Sequence, residues 1–329
     1  ANLGAGWVRD DAHARFRGET MIEPEKNLWS FTDNAVKFGL SPMISHFDFL
    51  DDGKAPDDDA SRQRFANRAV QVLDHYGKDV KVYEVWNEPT IQPGWKRTPD
   101  AVEYTKLLKT VYSTIKKHHP ETTVLGICSA GTDFGFIETV LKNGGGKFMD
   151  GISVHPYHGV APELAANRHE PAPTWMGSGD TITFAKRIEA IKVLLDKYGV
   201  GDLPIWGTEM GYNNKDSRED WQQTQWLIRQ YLIGMSIPYL ARQFNYNFND
   251  QGYNSPDSTK MTFGMFQGNG MPEPNAVAYN TMSRMLHEKK FDRKIDLGKD
   301  IYAYRYVNRE NDAEPVLAVW CVDDGITLG

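Results

Sequence analysis

An alternation of apolar strand patterns and amphipathic helix patterns runs through most of the chain. Strand-like segments such as "TTVLGICSAG" alternate with segments such as "TFAKRIEAIKVLLDKYG", whose apolar residues recur at helical spacing before a terminal glycine. Continuous apolar strands that alternate with helices predict a parallel sheet covered by helices on its outer face. The alternation therefore places the chain in the α/β class.

Seven strand patterns precede residue 287, and they lie at 4–11, 41–49, 80–88, 122–131, 150–159, 203–211 and 239–250. A closed (β/α)8 barrel, the TIM barrel, needs eight parallel strands. The opening segment "ANLGAGWVR" has the pattern of a first helix that runs into the second strand. We therefore expect a TIM barrel whose first strand is missing from the chain, so that the chain begins within the fold.

The pattern changes at about residue 288. Segments 294–308 and 315–329 alternate apolar and polar residues, and no helix pattern separates them. They predict part of a small antiparallel β-sandwich domain. We expect a barrel domain over 1–287 and a partial C-terminal β domain over 288–329.

The composition limits the classes of partner. The 329 residues are 40% apolar and 25% charged, which is typical of a globular protein with a sizeable core. The net charge of −7 and the absence of a lysine and arginine run argue against a nucleic-acid partner. No stretch is long and apolar enough to span a bilayer, so no membrane partner is expected. The pattern leaves the oligomeric state open.

The sequence contains no strong pattern for a metal site or for reactive cysteines. "DDD" at 57–59 is interpreted as a solvated loop that leads into a helix, because the ligand spacing of a calcium site is absent. The histidines show no ligand spacing such as His-x-His at a strand end; those weighed are His13, His46, His155 and His158. Cys128 and Cys321 lie in apolar strand-like runs and are interpreted as buried free thiols. We expect neither a metal nor an organic cofactor.

Two glutamates end predicted strands. Glu88 ends the strand "VKVYEVWNE", and Pro89 cannot continue a hydrogen-bonded ladder. Glu209 ends "LPIWGTEMG" three strands later. In a parallel barrel both carboxylates would stand at the mouth. A single strand-end glutamate is more often a salt-bridge partner, but two facing carboxylates are what glycosidic cleavage requires, one as proton donor and one as nucleophile or base.

The segments "VYEVWNEP" and "PIWGTEMG" resemble clan A of the glycoside hydrolases, the four/seven superfamily. Within the clan the chain is most similar to glycoside hydrolase family 39 and its relatives. "GAGWVRDD…IEPEKNLWSFT" resembles their second strand and following loop, "VHPY" their sixth strand, and the closing strands their accessory sandwich. With the missing strand counted, Glu88 falls on strand four and Glu209 on strand seven, as in the clan.

The resemblance implies a role for each site residue. Glu88 would be the general acid/base and Glu209 the nucleophile of a retaining hydrolase, with their carboxyl groups about 5–5.5 Å apart. Asn87 would hydrogen-bond the 2-hydroxyl of the sugar. His155 and Tyr157 match the family's His-x-Tyr, with Tyr157 placed to hold Glu209 ionised. From the residues alone, a packed His and Tyr on a core strand is the alternative explanation of this pair.

Glu84 and Arg9 are charged residues inside predicted strands. Glu84 shares the strand parity of Glu88, so its side chain should point inward and lie lower in the barrel. A buried Arg9–Glu84 ion pair is one explanation, because an unpaired interior charge is very costly. In the other explanation Arg9 lines the sugar site, and the sequence leaves both open.

Clan members commonly carry a tryptophan at the end of strand eight as the floor of the sugar site. The corresponding segment here is "RQFNYNFND", which offers Phe244, Tyr246 and Phe248 instead. Tyr246 or Phe248 is expected to serve as the aromatic platform. This departure makes the shape of the sugar site different from the family pattern.

Three loops are expected to form the walls of the site. The first carries Trp95, Lys96 and Arg97, and Trp95 is expected to contact the substrate; the others are 158–180, with Arg168, His169 and Trp175, and 249–274, with Tyr253 and Phe263. Cationic residues on the rim of an acidic protein suggest an anionic sugar, uronic or sulfated, as one form of the carbohydrate substrate.

The expected function is retaining hydrolysis of β-type glycosidic bonds in an oligo- or polysaccharide. A non-catalytic carbohydrate-binding barrel and a transglycosylase that uses the same two glutamates are the alternatives. The sequence does not assign a compartment, and a secreted or periplasmic location rests on analogy with polysaccharide-degrading enzymes.

Overall fold

The computed structural model describes residues 2–12, 15–17, 19–22, 30–47, 55–165, 182–213, 220–250 and 262–322. In chain order the strands are β1 (Trp7–Asp11), β2 (Arg15–Arg17), β3 (Thr20–Ile22), β4 (Ser41–His46), β5 (Val82–Val85), β6 (Thr123–Ala130), β7 (Gly151–His155), β8 (Ile205–Met210), β9 (Leu240–Asn245), β10 (Lys289–Ile295), β11 (Ile301–Asn308) and β12 (Val316–Cys321). The helices are α1 (Ser30–Lys37), α2 (Asp59–Tyr76), α3 (Gln92–Trp95), α4 (Ala101–His118), α5 (Phe134–Lys142), α6 (Phe184–Lys197), α7 (Asp220–Met235) and α8 (Pro274–Met285).

Seven parallel strands form the central sheet in the described part of the chain. They pair in the order β1-β4-β5-β6-β7-β8-β9, and each coincides with one of the seven predicted strands. β1 and β9 form the two edges, where the guanidinium of Arg242 lies 5.2 Å from the centre of the Trp7 ring. The sheet thus curls into a nearly closed barrel, which confirms the predicted TIM-barrel class.

The helices cover the outer face of this barrel. Phe65 of α2 and Leu108 of α4 are fully buried in the same cluster as Tyr83 of β5, because the apolar residues of each helix recur on one face. None of the helices in the described ranges is both long enough and apolar enough to cross a membrane.

The "DDD" segment starts a helix. The carboxylate of Asp58 accepts a hydrogen bond from the amide of Ser61 at 2.6 Å, and the Ser61 hydroxyl accepts one from the amide of Asp58 at 3.1 Å. This capping box satisfies two amides at the start of α2, and its bonds lower the pKa of Asp58. The interpretation of 57–59 as a loop that leads into a helix is confirmed.

The C-terminal region differs from its prediction in one respect. Segment 294–308 was expected to be one strand, but a turn divides it into β10 and β11, and a three-stranded antiparallel sheet results. The cause is the Asp296-Leu297-Gly298 turn, in which the Asp296 carboxylate accepts from the amide of Gly298 at 3.0 Å. β10 also begins at Lys289, before the start of the predicted strand at 294. Residues 323–329 lie outside the described ranges.

The small sheet packs directly on the barrel. Tyr304 and Tyr306 of β11 belong to the same buried cluster as the barrel core. The Tyr306 hydroxyl donates to the carbonyl of Leu232 at 2.9 Å, in the last turn of α7, where helix carbonyls lack an intrahelical partner. The Trp320 indole donates to the Glu163 carboxylate at 2.6 Å. The division into two domains at residue 288 stays a prediction.

Because Tyr306 joins the sheet to α7, its hydroxyl should contribute to the stability of both. We expect Tyr306→Phe to lower the free energy of unfolding by about 1–2 kcal/mol, since it leaves a buried carbonyl unsatisfied. Urea denaturation followed by far-UV and near-UV circular dichroism measures this change. Tyr302→Phe, on the same strand and partly exposed, is the matched control; equal stabilities of the two variants would refute the assignment.

Candidate active site

Backbone geometry turns Glu88 into the barrel mouth. After β5 the chain leaves the ladder with positive φ angles at Trp86 (75°) and Glu88 (48°), a conformation that costs a non-glycine residue about 1–3 kcal/mol. The amide of Glu88 donates to the carbonyl of Cys128 at 3.0 Å, which fixes this turn to β6. A Cβ at Gly94 would lie 2.1 Å from the Glu88 carbonyl oxygen, so only glycine lets α3 pack against the turn.

The carboxylates of Glu88 and Glu209 lie close together. Glu209 is the penultimate residue of β8, and a carboxylate oxygen of Glu209 lies within 4.8 Å of one of Glu88. The side chains of Glu88 and Glu209 are 22% and 14% exposed, so both reach solvent from a largely buried position. A substrate atom between them would therefore touch both groups.

Arg9 of β1 is the centre of a buried hydrogen-bond network. Its Nε donates to Glu84 at 2.8 Å, its Nη1 to Glu209 Oε1 at 2.7 Å, and its Nη2 to Asn87 Oδ1 at 2.8 Å and to Ser45 Oγ at 3.0 Å. The predicted Arg9–Glu84 pair is therefore present, and Arg9 also reaches the site through Glu209. The other explanation, in which Arg9 lines a sugar site, stays a prediction.

The charges in this network stabilise one another. Burial opposes the charge of Arg9, but Glu84 and Glu209 raise the pKa of Arg9 well above its usual value. Burial likewise opposes ionisation of Glu84, yet Arg9 and then His155 keep the pKa of Glu84 below its ordinary range. Glu84 is fully buried, as its strand parity predicted.

His155 lies between the carboxylates and a thiol. Its Nδ1 is 2.9 Å from Glu88 Oε1 and 3.6 Å from Glu209 Oε2, and its Nε2 is 3.3 Å from Cys128 Sγ. Burial favours the neutral ring, but Glu209 and the hydrogen bonds to Cys128 and Glu88 raise the pKa of His155 well above its ordinary value. The ring is therefore suited to donate from Nδ1 to Glu88.

Tyr157 and Asn87 complete the contacts of the pair. The Tyr157 hydroxyl donates to Glu209 Oε2 at 3.0 Å, and burial together with Glu209 raises the pKa of Tyr157, so it remains a donor. Since Arg9 engages Oδ1 of Asn87, the Nδ2 amide is the group of Asn87 left to meet a ligand.

Aromatic rings form one wall beside Glu209. Tyr246, just after β9, packs against Tyr157 (ring centroids 6.4 Å apart) and Phe263 (5.9 Å). Burial and then Glu209 raise the pKa of Tyr246. Phe248 is 58% exposed and packs on Phe266, whereas Phe244 is buried against Trp206. Of the expected platforms, Tyr246 stands beside the carboxylates.

Trp95 does not line the site, contrary to expectation. Its side chain is 1% exposed and packs between Trp86 (5.0 Å) and Tyr104 (6.1 Å) in the core. The reason is that 92–95, predicted as a loop, forms α3 and turns the indole inward. Arg97 bonds to Asp57 and to the Ala55 carbonyl, so its charge is already engaged. Arg168, His169, Trp175 and Tyr253 lie outside the described residues.

Sequence reasoning missed the roles of Ser45 and Cys128. Cys128 was interpreted only as a buried thiol, but a bulge at Ile127–Ser129 turns it toward His155. Burial raises the pKa of Cys128, so it stays a neutral thiol. Cys321 is only partly buried, which corrects its prediction. No pattern in the sequence predicts the bulge at Ile127–Ser129.

Metal-ligating atoms also come together here. In the described residues, ligand atoms of Glu84, Cys128 and His155, and of Glu88, His155 and Glu209, lie within 4.8 Å of one another. A cation in either group would face the guanidinium of Arg9, which is 2.7–2.8 Å from Glu209 and Glu84. The guanidinium would repel such a cation.

Solved glycoside hydrolase structures share the fold of this chain. A family 39 glycoside hydrolase from the gut symbiont Bacteroides cellulosilyticus superposes with a TM-score of 0.81 at 24% identity, over 98% of this chain and 66% of that one. A glucosidase from Croceicoccus marinus superposes with a TM-score of 0.68 at 13% sequence identity, over 93% of this chain and 69% of that one. A monomeric β-xylosidase from Caulobacter crescentus superposes with a TM-score of 0.63 at 17% sequence identity, over 93% of this chain and 67% of that one. The chain has the barrel fold of these glycoside hydrolase structures.

The chain spans about two thirds of the length of these structures. No family model matches its sequence, and no curated protein matches it. The likeness to these structures therefore rests on three-dimensional structure and extends to the fold.

The Arg9–Glu84 pair should dominate the energetics of the site. We expect Arg9→Leu to destabilise the protein by about 3–5 kcal/mol, because it leaves a buried carboxylate unpaired. Arg9→Leu combined with Glu84→Gln should recover much of the loss, since no unpaired charge then remains at Glu84. Urea denaturation of the single and double variants measures both changes.

The matched control is Arg293→Leu, which removes an arginine that is 61% exposed and paired with Asp292. A surface pair contributes about 0–1 kcal/mol. A double variant no more stable than Arg9→Leu would show that Glu84 is not held by Arg9.

The raised pKa of His155 predicts a pH dependence of stability. A group with a higher pKa in the folded state stabilises fully below its unfolded pKa, about 6.5, and loses that contribution as pH rises through the folded value. We expect the difference in unfolding free energy between wild type and His155→Gln to be largest below pH 6 and to shrink above it. His118→Gln, at an exposed histidine, is the control, and a pH-independent difference for His155→Gln would exclude a cationic ring.

Proposed function

We propose that the protein is a retaining glycoside hydrolase that cleaves β-type glycosidic bonds of an oligo- or polysaccharide. The observation that carries this proposal is the approach of Glu88 and Glu209, whose nearest carboxylate oxygens are within 4.8 Å. Retaining pairs stand about 5–5.5 Å apart, while inverting pairs need about 6.5–9.5 Å to admit a water. The separation favours direct attack by a carboxylate.

In the first step Glu88 gives its proton to the glycosidic oxygen as the bond from that oxygen to the anomeric carbon breaks. A Glu209 oxygen forms an ester bond to the same carbon. In the second step Glu88, now a carboxylate, takes a proton from water, the water oxygen bonds to the anomeric carbon, and the ester bond breaks. Two inversions leave the product with the configuration of the substrate.

The neighbouring side chains fit these steps. Arg9 and Tyr157 each bond one oxygen of Glu209, which fixes the carboxylate in the direction of attack. The Nδ1 of His155, 2.9 Å from Glu88, would donate to the carboxylate that forms when Glu88 gives up its proton. The Nδ2 amide of Asn87 is placed to donate to a sugar hydroxyl. Tyr246 offers an aromatic face beside Glu209.

The substrate class stays open within carbohydrates. Two neighbours in fold are named a β-xylosidase and a glucosidase, which supports a glycosidase and a β linkage. An anionic sugar, predicted from cationic loop residues, stays a prediction. Of those residues, Arg97 is paired with Asp57.

A panel of aryl β-glycosides, including glucuronides, and mixed polysaccharides tests the proposal. We expect Glu209→Gln to abolish turnover of every substrate that the wild type cleaves. Glu88→Gln should lower the turnover rate about 10²–10⁴-fold for glycosides with poor leaving groups. The rate should fall much less for dinitrophenyl glycosides, whose leaving group needs no proton. Proton NMR at early times should show a product that retains the anomeric configuration.

Glu189→Gln makes the same chemical change on the outer helix α6, where Glu189 pairs with Lys186, and should leave turnover unaltered. Full activity of Glu209→Gln, or an inverted product, would overturn the mechanism. Transfer of sugar to an added acceptor without hydrolysis would identify a transglycosylase instead. Binding of a glycan with no turnover of any substrate would identify a carbohydrate-binding barrel.

A further inference from the structure

Glu84 is a buried carboxylate that none of these steps uses. It lies on β5, four residues before Glu88, and has no exposed surface. Its Oε2 accepts a hydrogen bond from Nε of Arg9 at 2.8 Å. A carboxylate of this kind costs free energy to bury even when paired. Packing alone would be served as well by an uncharged side chain of the same volume.

The position of Arg9 shows what the charge of Glu84 does. Arg9 contacts Glu84 and Glu209 at nearly the same distance, 2.8 Å and 2.7 Å, through different nitrogens of one guanidinium. One positive charge therefore faces two negative ones. Without Glu84, the whole field of Arg9 would act on Glu209.

We propose that Glu84 is a positioning residue that shares the charge of Arg9 with Glu209 and so keeps the Glu209 carboxylate basic enough to attack the anomeric carbon. This inference rests on the proposed function. A carboxylate that faces an undivided guanidinium holds its electron pairs more tightly, so it is a weaker nucleophile and a better leaving group. Glu84 thus tunes the forming and breaking of the ester bond without touching the substrate.

Other titratable groups near Glu209 also contribute to its electrostatic environment. In the described part of the chain, the titratable or charged groups around Arg9 and Glu209, besides Glu84, include Asp11 of β1, Glu88 after β5, Cys128 of β6, His155 of β7, Tyr157 after β7 and Tyr246 after β9. Of these, Cys128 and the tyrosines stay neutral, because burial raises the pKa of each. A change of charge at Glu84 therefore reaches Glu209 through Arg9, which contacts both carboxylates, and through His155, which interacts with both.

Glu84→Gln removes the charge and keeps the size of the side chain. We expect the acidic limb of the kcat/KM profile to move to lower pH by about 1 unit, because loss of a like charge nearby favours the ionised form of the nucleophile. The rate of forming the glycosyl-enzyme should fall, while its hydrolysis should not. Dinitrophenyl and alkyl glycosides, measured from pH 3 to 9, separate the two steps.

Two further variants make the test specific. Ser45→Ala removes an uncharged partner of Arg9 and should leave the acidic limb where it is. Glu84→Asp restores the charge and should return the limb toward its wild-type position. An acidic limb that stays fixed in Glu84→Gln, with only activity or stability reduced, would show that Glu84 is merely structural.

A measurement without turnover separates this inference from the proposed function. In protein labelled with ¹³C at glutamate Cδ, the signal lost in Glu209→Gln assigns Glu209. The midpoint of its titration should be lower in Glu84→Gln than in wild type, whether or not any glycoside is cleaved. An unchanged midpoint would refute the charge sharing, whereas a lower midpoint in a protein that cleaves nothing would refute only the hydrolase.

Discussion

The guanidinium of Arg9 is the contact on which the site depends. It joins β1 to β5 through Glu84, to β8 through Glu209 and to β4 through Ser45, so one side chain ties together strands from separate parts of the sheet. Burying a charge is costly unless it is paired and hydrogen-bonded. β4, β5 and β8 must therefore align so that all three reach Arg9 of β1. This alignment places Glu209 beside Glu88.

Backbone distortion around this network is concentrated where chemistry is expected. Positive φ angles occur at Trp86 and Glu88 after β5 and at Ile127 and Cys128 within β6, and these four residues adjoin one another through the amide of Glu88 and the carbonyl of Cys128. Regular strands would direct these side chains alternately across the sheet. The distortions instead bring Glu88, Asn87 and Cys128 to the same interior face as His155.

Much of this was readable from the sequence, because strand ends and side-chain parity are local properties. Glu88 and Glu209 follow from the end of an apolar run, and the burial of Glu84 follows from its parity with Glu88. The contacts of Cys128 could not be read, since a bulge changes parity by one residue. Trp95 was misplaced because a four-residue helix is too short to leave a periodic pattern, and β10 because a single Asp-Leu-Gly turn divides a continuous alternation.

In the proposed mechanism, Glu209 forms a covalent bond to the sugar. A 2-deoxy-2-fluoro glycoside with a dinitrophenyl leaving group tests it directly, since fluorine slows hydrolysis of the ester more than its formation. Intact-mass spectrometry should show one added fluorosugar, and peptide mapping should place it on Glu209. An active protein that releases dinitrophenol without gaining the label, or that carries the label on another residue, would contradict the account.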